Sequence, residues 1–325
     1  MKKFLLTMAV AVTALFATAQ TKTYTDDLTV TINGEATEPQ ETTIYVEKNS
    51  DGTYNLSLNR FTLGGMFKVG NIVLNNIAAT EEGGIKSFAT NQTIQITAGD
   101  ENVDDWMGPM LGDVPVDLKG KMTDGSLYCT IGIDLTANMG QVIDVTFGKD
   151  IKATRNYTDA LTVTINGNSS APQQTTINVD EKADGTYTLS LNNFMLDEMA
   201  VGNIVLHNIS ATANGNVNNF ATEQTIVITE GDIADKSWLG PQLGNVPVKL
   251  EGKMTEYKLY CDIDIEMAML GQTIKVVFGQ ADLMGIEGAV ADGGERIIFD
   301  ITGRRVDAIT TPGIYIINGK KQVIR

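Results

Sequence analysis

Few residues in this chain of 325 amino acids could carry out chemistry. His207 is its only histidine, and Cys129 and Cys261 are its only cysteines. A catalytic nucleophile needs a base beside it, and a zinc site usually draws several His or Cys ligands. A single histidine in the strand-like sequence NIVLHNI provides neither arrangement. The sequence therefore predicts a protein that is not an enzyme and that uses no metal or other cofactor.

The side chains best suited to touching a ligand are two tryptophans, one in each half of the chain. Trp106 opens the segment WMGPMLGDVPVDLKGKMT, and Trp238 opens WLGPQLGNVPVKLEGKMT further along. The close agreement of these segments indicates an internal duplication. Pro109 and Pro241 stiffen the turn after each indole, which is apolar over its rings and offers one donor. The sequence predicts Trp106, Pro109, Trp238 and Pro241 as ligand-binding candidates.

Two interpretations of these tryptophans stay open at this point. In the first, each indole lies at the mouth of a cavity and touches a small apolar ligand. In the second, each indole plugs one end of its domain as part of the core. An empty interior of a few hundred cubic ångströms would favour a ligand carrier, and a packed interior would favour a structural or adhesive protein.

Acidic residues crowd the loop before Trp106, where Asp100, Glu101, Asp104 and Asp105 follow one another closely. A calcium site takes about six to eight oxygen ligands, which such a loop could supply. The corresponding loop of the second half shares only a Gly-Asp step and contains a lysine. The sequence therefore predicts a solvated acidic loop, with loose calcium binding as the alternative.

The elements that would position these residues are short β-strands. Residues 28–32 alternate apolar and polar side chains, and several are β-branched, which is typical of a strand. Asn33-Gly34 and Asp51-Gly52 are hairpin-type turns. The strands predicted in the first half are 24–32, 43–47, 54–58, 69–76, 93–97, 114–122, 127–135 and 142–147. Eight antiparallel strands in each half predict two closed up-and-down barrels in tandem.

The two cysteines occupy matching places in the two halves. Cys129 and Cys261 each lie on the apolar face of an alternating strand. A disulfide between them would require the two interiors to meet, because cysteines whose Cα atoms are more than about 7 Å apart cannot be bridged. We therefore predict two buried, free thiols.

Three motifs recur in both halves: TVTING, the hairpin sequence DGTY, and W-x-G-P-x-L-G-x-V-P-V-x-L-x-G-K-M-T. On these motifs, each half resembles the calycin-like (lipocalin-related) β-barrel domain of exported Bacteroidota proteins. The resemblance covers residues 21–150 and 154–280. It implies an all-β fold of two tandem eight-stranded antiparallel calycin-like barrels, and it implies no particular activity.

The two ends of the chain differ from its body. Lys2 and Lys3 precede an apolar run that ends in small residues, which predicts a signal peptide over residues 1–19. Residues 281–325 read as a linker and a short β tail. The tail sequences DITGRRV and PGIYIINGKK resemble the C-terminal end of the type IX secretion sorting domain. We predict export to the periplasm, the outer-membrane surface or the medium, with no transmembrane segment.

The charge balance narrows the range of partners. The chain has 40 acidic and 24 basic residues and a formal net charge of −16. An acidic body lacks the basic footprint that nucleic acid requires, and it favours solubility. The sequence thus predicts an exported binding protein whose partner is a small apolar ligand in each barrel or a macromolecule on the surface. The alternative is a structural or adhesive cell-surface protein with filled barrels. The sequence specifies neither the ligand nor the oligomeric state.

Overall fold

A computed structural model describes residues 20–65, 67–99, 105–136, 140–233, 236–267, 271–281, 283, 298–306, 313–317 and 320–324. The predicted signal peptide lies outside the described residues. So do Asp100, Glu101 and Asp104 of the acidic loop, and most of the predicted linker. The described chain forms two large antiparallel sheets of the same design, followed by a small third sheet.

The first large sheet is formed by residues 20–147. Its strands are β1 Gln20–Ile32, β2 Glu35–Ala36, β3 Gln40–Lys48, β4 Tyr54–Leu63, β5 Phe67–Ile77, β6 Ala79–Glu82, β7 Ile85–Gln95, β8 Asp113–Met122, β9 Leu127–Leu135 and β10 Gln141–Phe147. The strand order is β5-β4-β3-β1-β10-β9-β8-β7-β6, with β2 beside β1. Because β1 pairs with both β3 and β10, the first and last strands of the copy lie side by side in the middle of the sheet. The sheet curls into a barrel by bringing β5 toward β7, where the bridge between Asn71 and Thr97 joins them.

The second sheet repeats this plan over residues 151–278. Its strands are β11 Ile151–Ile165, β12 Asn168–Ser169, β13 Gln173–Lys182, β14 Tyr187–Leu196, β15 Met199–Ile209, β16 Ala211–Asn214, β17 Val217–Val227, β18 Asn245–Met254, β19 Leu259–Met267 and β20 Gln272–Phe278. The order is β15-β14-β13-β11-β20-β19-β18-β17-β16. The prediction of an all-β fold with two tandem antiparallel barrels is confirmed, and the described part of each barrel has eight long strands and two short ones.

The strands extend beyond their predicted bounds, most of all in two places. The strand predicted at 93–97 is the end of β7, which begins at Ile85, and the first strand begins at Gln20 rather than at residue 24. Residues 20–23 are polar, and the apolar Ile85 and Phe88 are three positions apart, so apolar alternation does not reveal either extension. The extra residue of the first copy lies in the turn between β4 and β5, where a loop absorbs it.

The two cores follow from the alternation of side chains along the strands. Leu118 and Phe147 are fully buried in the first barrel, as Leu250 and Phe278 are in the second. Each such side chain contributes about 1.5–3 kcal/mol to folding. Cys129 and Cys261 are buried among these residues and are free thiols, as predicted.

Each barrel wall has a seam, a place where two neighbouring strands are not joined by a hydrogen-bonded ladder. The seam lies between β5 and β7 in the first barrel and between β15 and β17 in the second. A single backbone bridge, Asn71 to Thr97, crosses the seam of the first barrel. The side-chain amide of Gln92 spans the rest, because its Nε2 donates to the Asn75 carbonyl and its Oε1 accepts from the Asn75 amide. An amide side chain thereby replaces the missing ladder bonds. The second barrel repeats the arrangement with Asn203, Thr229, Gln224 and His207.

The described part of the C-terminal segment is a small sheet of its own. Its strands are β21 Ile298–Asp300, β22 Arg305–Val306, β23 Gly313–Ile317 and β24 Lys320–Ile324, in the order β22-β21-β23-β24. Ile298, Tyr315 and Ile317 form its core. None of the helices in the described regions has the length and apolar character needed to cross a membrane.

Candidate functional site

The predicted site residues Trp106 and Trp238 lie in the loops that lead from β7 to β8 and from β17 to β18. Each indole is buried, with 9% and 6% of its residue exposed. Each also packs flat against a glycine, Gly99 or Gly231, whose added Cβ would lie within about 2.5 Å of the indole ring. The four predicted residues therefore divide into two buried indoles and the two exposed prolines that follow them.

The turn after each tryptophan is packed tightly against its barrel. Gly108 begins a short 3-10 helix, Gly108–Met110, and a Cβ on Gly108 would lie 2.2 Å from Ile96 Cγ2 and 2.3 Å from the Val69 carbonyl oxygen. The Met107 amide donates to the Lys68 carbonyl, which fixes the loop to β5. This geometry packs the tryptophan loop closely against β5 and against Ile96, just after β7. That the tryptophan loops bind a ligand stays a prediction.

Lys68 contacts the tryptophan loop of the first barrel. Its ammonium lies 5.9 Å from the centre of the Trp106 ring and 2.7 Å from Asp105 Oδ2. A cation above an indole face is attracted by the ring electrons. The indole Nε1 of Trp106 is buried and has no hydrogen-bond partner among the described residues.

The barrel interiors are almost completely filled by side chains. The cavity inside each barrel has a volume of about 60 Å³. Leu28, Phe61 and Val116 are among the apolar residues that line the first. Ligand pockets usually measure about 300–1,000 Å³, so each cavity is too small for a lipid-sized molecule. Within the described part of the chain, neither tryptophan lines these cavities.

A wider groove of about 800 Å³ lies on the outer face of the second barrel. Its two lysines each lie near an acid of the lining, since Lys249 lies 3.7 Å from Glu223 and Lys275 lies 3.4 Å from Asp264. Glu266 is a third acid of the lining. The second barrel alone forms the walls, and the groove therefore reads as an open strand surface whose charges are mostly paired.

The two barrels touch along an interface of polar groups. The turn between β8 and β9 of the first barrel packs against the outer wall of the second. There the Thr123 hydroxyl donates to Asp180 Oδ2 at 2.7 Å, and Asn192 Nδ2 donates to the Asp124 carbonyl at 3.0 Å. Thr123 and Asp180 are 3% and 0% exposed. The bond between Thr123 and Asp180 is thus shielded from water, which strengthens it, whereas the Asn192 bond lies at the exposed edge of the interface.

Gly125 permits this close approach. A Cβ at that position would lie 2.0 Å from Ser190 Oγ on the facing wall. The second copy has Tyr257 at the corresponding place, and that residue is 81% exposed. The end of the first barrel is therefore shaped for the wall of the second, and the matching end of the second barrel is not.

The interface also buries a lysine. Lys182 is 2% exposed, and its Nζ has no hydrogen-bond partner among the described residues. Burial lowers the pKa of Lys182, although the nearby carboxylate of Asp180 opposes this shift. Asp180 Oδ1 is likewise buried and unpartnered in the described part. Two polar groups therefore lie buried at this interface without a hydrogen-bond partner in the described part, which costs free energy unless water satisfies them.

A cleft of about 520 Å³ opens beside this interface. Strands β1 and β3 of the first barrel form one side, and strands β15 and β17 of the second form the other. The seam of the second barrel, with Gln224 across it, faces this cleft. Ile226 lines both the cleft and the interior cavity of the second barrel. The volume lies within the range of small-molecule sites.

His207 joins the two walls of the cleft. Its Nδ1 lies 3.8 Å from Asp26 Oδ2 of the first barrel. Burial lowers the pKa of His207 below its ordinary value near 6.5, and the Asp26 carboxylate only partly opposes this shift. The imidazole is therefore neutral at pH 7, and the carboxylates determine the sign of the charge in the cleft.

Asp27 and Glu41 contribute further negative charge to the cleft. They stand directly opposite each other in the register of β1 and β3. The residue types of Asp27 and Glu41 alone do not single them out in the sequence. The two copies differ at these positions, because the second copy has the uncharged register partners Ala160 and Gln174 in their place. In the described part of the chain, no group of His, Cys, Asp and Glu has the arrangement of a metal site.

Comparison with known proteins identifies the family of this chain. The sequence profile of the calycin-like beta-barrel domain matches residues 21–149 and again residues 154–280. No curated protein matches the chain. Among solved structures, a protein of unknown function from Nostoc punctiforme aligns with 80% of this chain and 95% of its own, at 9% identity and a TM-score of 0.21.

Proposed function

Since both halves of the chain belong to the calycin-like β-barrel family, we propose that it is an exported, non-enzymatic binding protein that engages its partner outside two filled barrels. The observation that carries this proposal is the interior volume of about 60 Å³ in each barrel. Space for a ligand exists instead on the outside, above all in the cleft between the barrels. The sequence pattern of residues 1–19 supports the exported part of the proposal.

The positions of the potential nucleophiles support a non-enzymatic role. Cys129 and Cys261 are fully buried, and burial raises the pKa of both thiols. A buried neutral thiol is inert, since the thiolate is the reactive form. His207 lies 3.8 Å from Asp26 at the interface, and neither thiol lines the cleft beside it.

A structural or adhesive cell-surface role is the second candidate, and the filled interiors favour it equally. The two candidates differ in what the outside of the barrels contacts. A small-molecule binder needs an enclosed space, which the cleft provides. An adhesive protein would use broad exposed surfaces, and its activity would survive changes within the cleft.

The filled-barrel proposal is tested by apolar probes. We expect that neither palmitate nor benzene saturates a site in the wild-type protein, because the cavities are too small. The matched control is Phe61→Ala, which enlarges the first cavity by removing a lining ring. Engineered apolar cavities of about 150 Å³ bind benzene, so this variant should gain benzene binding.

Isothermal titration calorimetry measures the binding, and a thermal unfolding transition confirms that Phe61→Ala folds. Saturable binding of palmitate by the wild-type protein at micromolar concentration would contradict the proposal. It would restore the apolar carrier that the sequence first suggested.

A further inference from the structure

The charges that line the cleft between the barrels are unbalanced. Asp26, Asp27, Glu41 and Asp124 line it from the first barrel. The described part of the lining includes no lysine or arginine. Lys22 reaches Asp124 from outside that lining, at 3.2 Å. The cleft therefore presents net negative charge to whatever enters it.

Asp27 and Glu41 face each other across two neighbouring strands. Like charges directly opposite in an antiparallel pair destabilise a sheet. Neither carboxylate forms an ion pair within the described residues. The second barrel has the uncharged pair Ala160 and Gln174 at the same register position, away from the cleft. The fold therefore tolerates neutral residues there, and the copy that lines the cleft has the costly charges.

A separate observation places an unsatisfied group in the same cleft. Ser126 lines it and is 3% exposed, and its hydroxyl oxygen has no hydrogen-bond partner among the described residues. Most of the neighbouring amides are already engaged, as Asn192 and Gln224 show. A buried hydroxyl without a partner costs free energy unless a water or ligand satisfies it.

We propose that this cleft is a binding site for a small organic cation bearing amine groups, held by the paired carboxylates of Asp27 and Glu41. Ammonium groups donate charge-assisted hydrogen bonds to carboxylates, and a bound cation would relieve the repulsion between the two acids. A bare metal ion fits poorly, because the described residues offer no metal-ligand cluster and the space is far larger than an ion. This inference rests on the proposed function, that of a binder that works outside its barrels.

The test is calorimetric titration of the full chain with spermidine in about 0.15 M NaCl, which screens loosely held counterions. We expect one saturable site per chain. The chain itself supplies the informative variant, Asp27→Ala with Glu41→Gln, which installs the residues of the second copy. We expect this variant to bind spermidine about tenfold more weakly or worse, and to melt at a higher temperature without ligand.

The reverse exchange, Ala160→Asp with Gln174→Glu, is the matched control. These positions have the same register but do not line the cleft, so the control should gain no second spermidine site. A second site of equal affinity would show that an acidic strand pair suffices, and it would overturn the role of the cleft. His207→Asn provides an independent cleft variant, in which the residue of the first copy replaces the histidine.

Two outcomes separate this inference from the proposed function. If sorbitol binds in the cleft while spermidine does not, the ligand class is wrong and the external binding site stands. If neither probe saturates the wild-type protein, the inference fails, but the filled-barrel proposal fails only when an apolar probe enters a barrel.

Discussion

At the level of single residues, His207 occupies a different environment from the matching residue of the other copy. The matching residue of the first barrel is Asn75, which is exposed. His207 makes the same backbone contacts to a glutamine, but the first barrel partly covers it and places Asp26 3.8 Å away. Burial lowers the pKa of this imidazole despite the nearby carboxylate. His207 is therefore tied to the joint between the barrels and is a protonation-sensitive group within it.

This setting predicts a pH dependence of stability. Because the folded pKa lies below the unfolded value of about 6.5, the unfolded chain binds more protons in the interval between them. The associated stability is fully present above pH 6.5 or so, and it is lost as the pH falls toward the folded pKa. We expect urea unfolding to show that the free energy of unfolding falls less between about pH 7.5 and pH 5 in His207→Asn than in the wild-type protein.

Asn75→His supplies the control, since it places a histidine at the same position of the exposed seam. Its free energy of unfolding should fall by the same amount on acidification as that of the wild-type protein. An equal fall in the wild-type protein and His207→Asn would contradict the account of His207.

At the level of elements, each barrel wall has one weakly bonded seam. It lies between β5 and β7 in the first barrel and between β15 and β17 in the second. Apart from one backbone bridge, Gln92 or Gln224 supplies the hydrogen bonds that a paired strand would have made. The two seams differ in their surroundings, since that of the second barrel lies under the cleft and that of the first does not. A lost bond costs little where water can replace it and more where water is excluded.

Replacing the two glutamines should therefore have unequal effects. We expect Gln224→Leu to lower the free energy of unfolding by about 1–3 kcal/mol, and Gln92→Leu by about 0.5–1.5 kcal/mol. Denaturant unfolding gives the two values, and hydrogen exchange at the amides of His207 and Asn75 reports local opening. A larger loss in Gln92→Leu would contradict the proposed shielding of the second seam.

The sequence predicted the fold, whereas it did not point to the cleft between the barrels, for identifiable reasons. Apolar alternation and Asn-Gly turns depend on local chain geometry, so the eight long strands of each barrel were predictable. The buried cysteines followed from the same alternation. The cleft was not predictable, because Asp27 and His207 are distant in sequence and meet only when the first barrel docks on the second. Trp106 was predicted as a ligand contact from its residue type; the structure buries it beside Gly99, and its contact with a ligand stays a prediction.

At the level of the whole molecule, the two barrels are joined asymmetrically. One end of the first barrel meets the wall of the second through Thr123, Gly125 and Asp180, and β11 begins at Ile151, only a few residues after β10 ends. The corresponding end of the second barrel carries exposed Tyr257. The two copies thus share a fold and differ at the surface through which one of them docks. Independent folding of fragments 21–148 and 154–280 stays a prediction.

Gly125→Tyr tests the joint, because it installs the residue that the second copy has at this position. The added side chain has no room against Ser190, so we expect the barrels to separate. Small-angle scattering should show a larger radius of gyration, and spermidine binding should be lost. Tyr257→Gly is the control at the exposed end and should change neither measurement. A compact Gly125→Tyr protein that still binds spermidine would refute this view of the interface.

The central claim is that this protein binds its ligand between its barrels and not inside them. The most direct measurement is a backbone amide NMR titration of the full chain with spermidine. We predict saturable shifts from both walls of the cleft together, at Asp27 and Gly125 of the first barrel and at His207 and Thr225 of the second. Shifts confined to one barrel, or centred on the Trp106 and Trp238 loops, would contradict the claim.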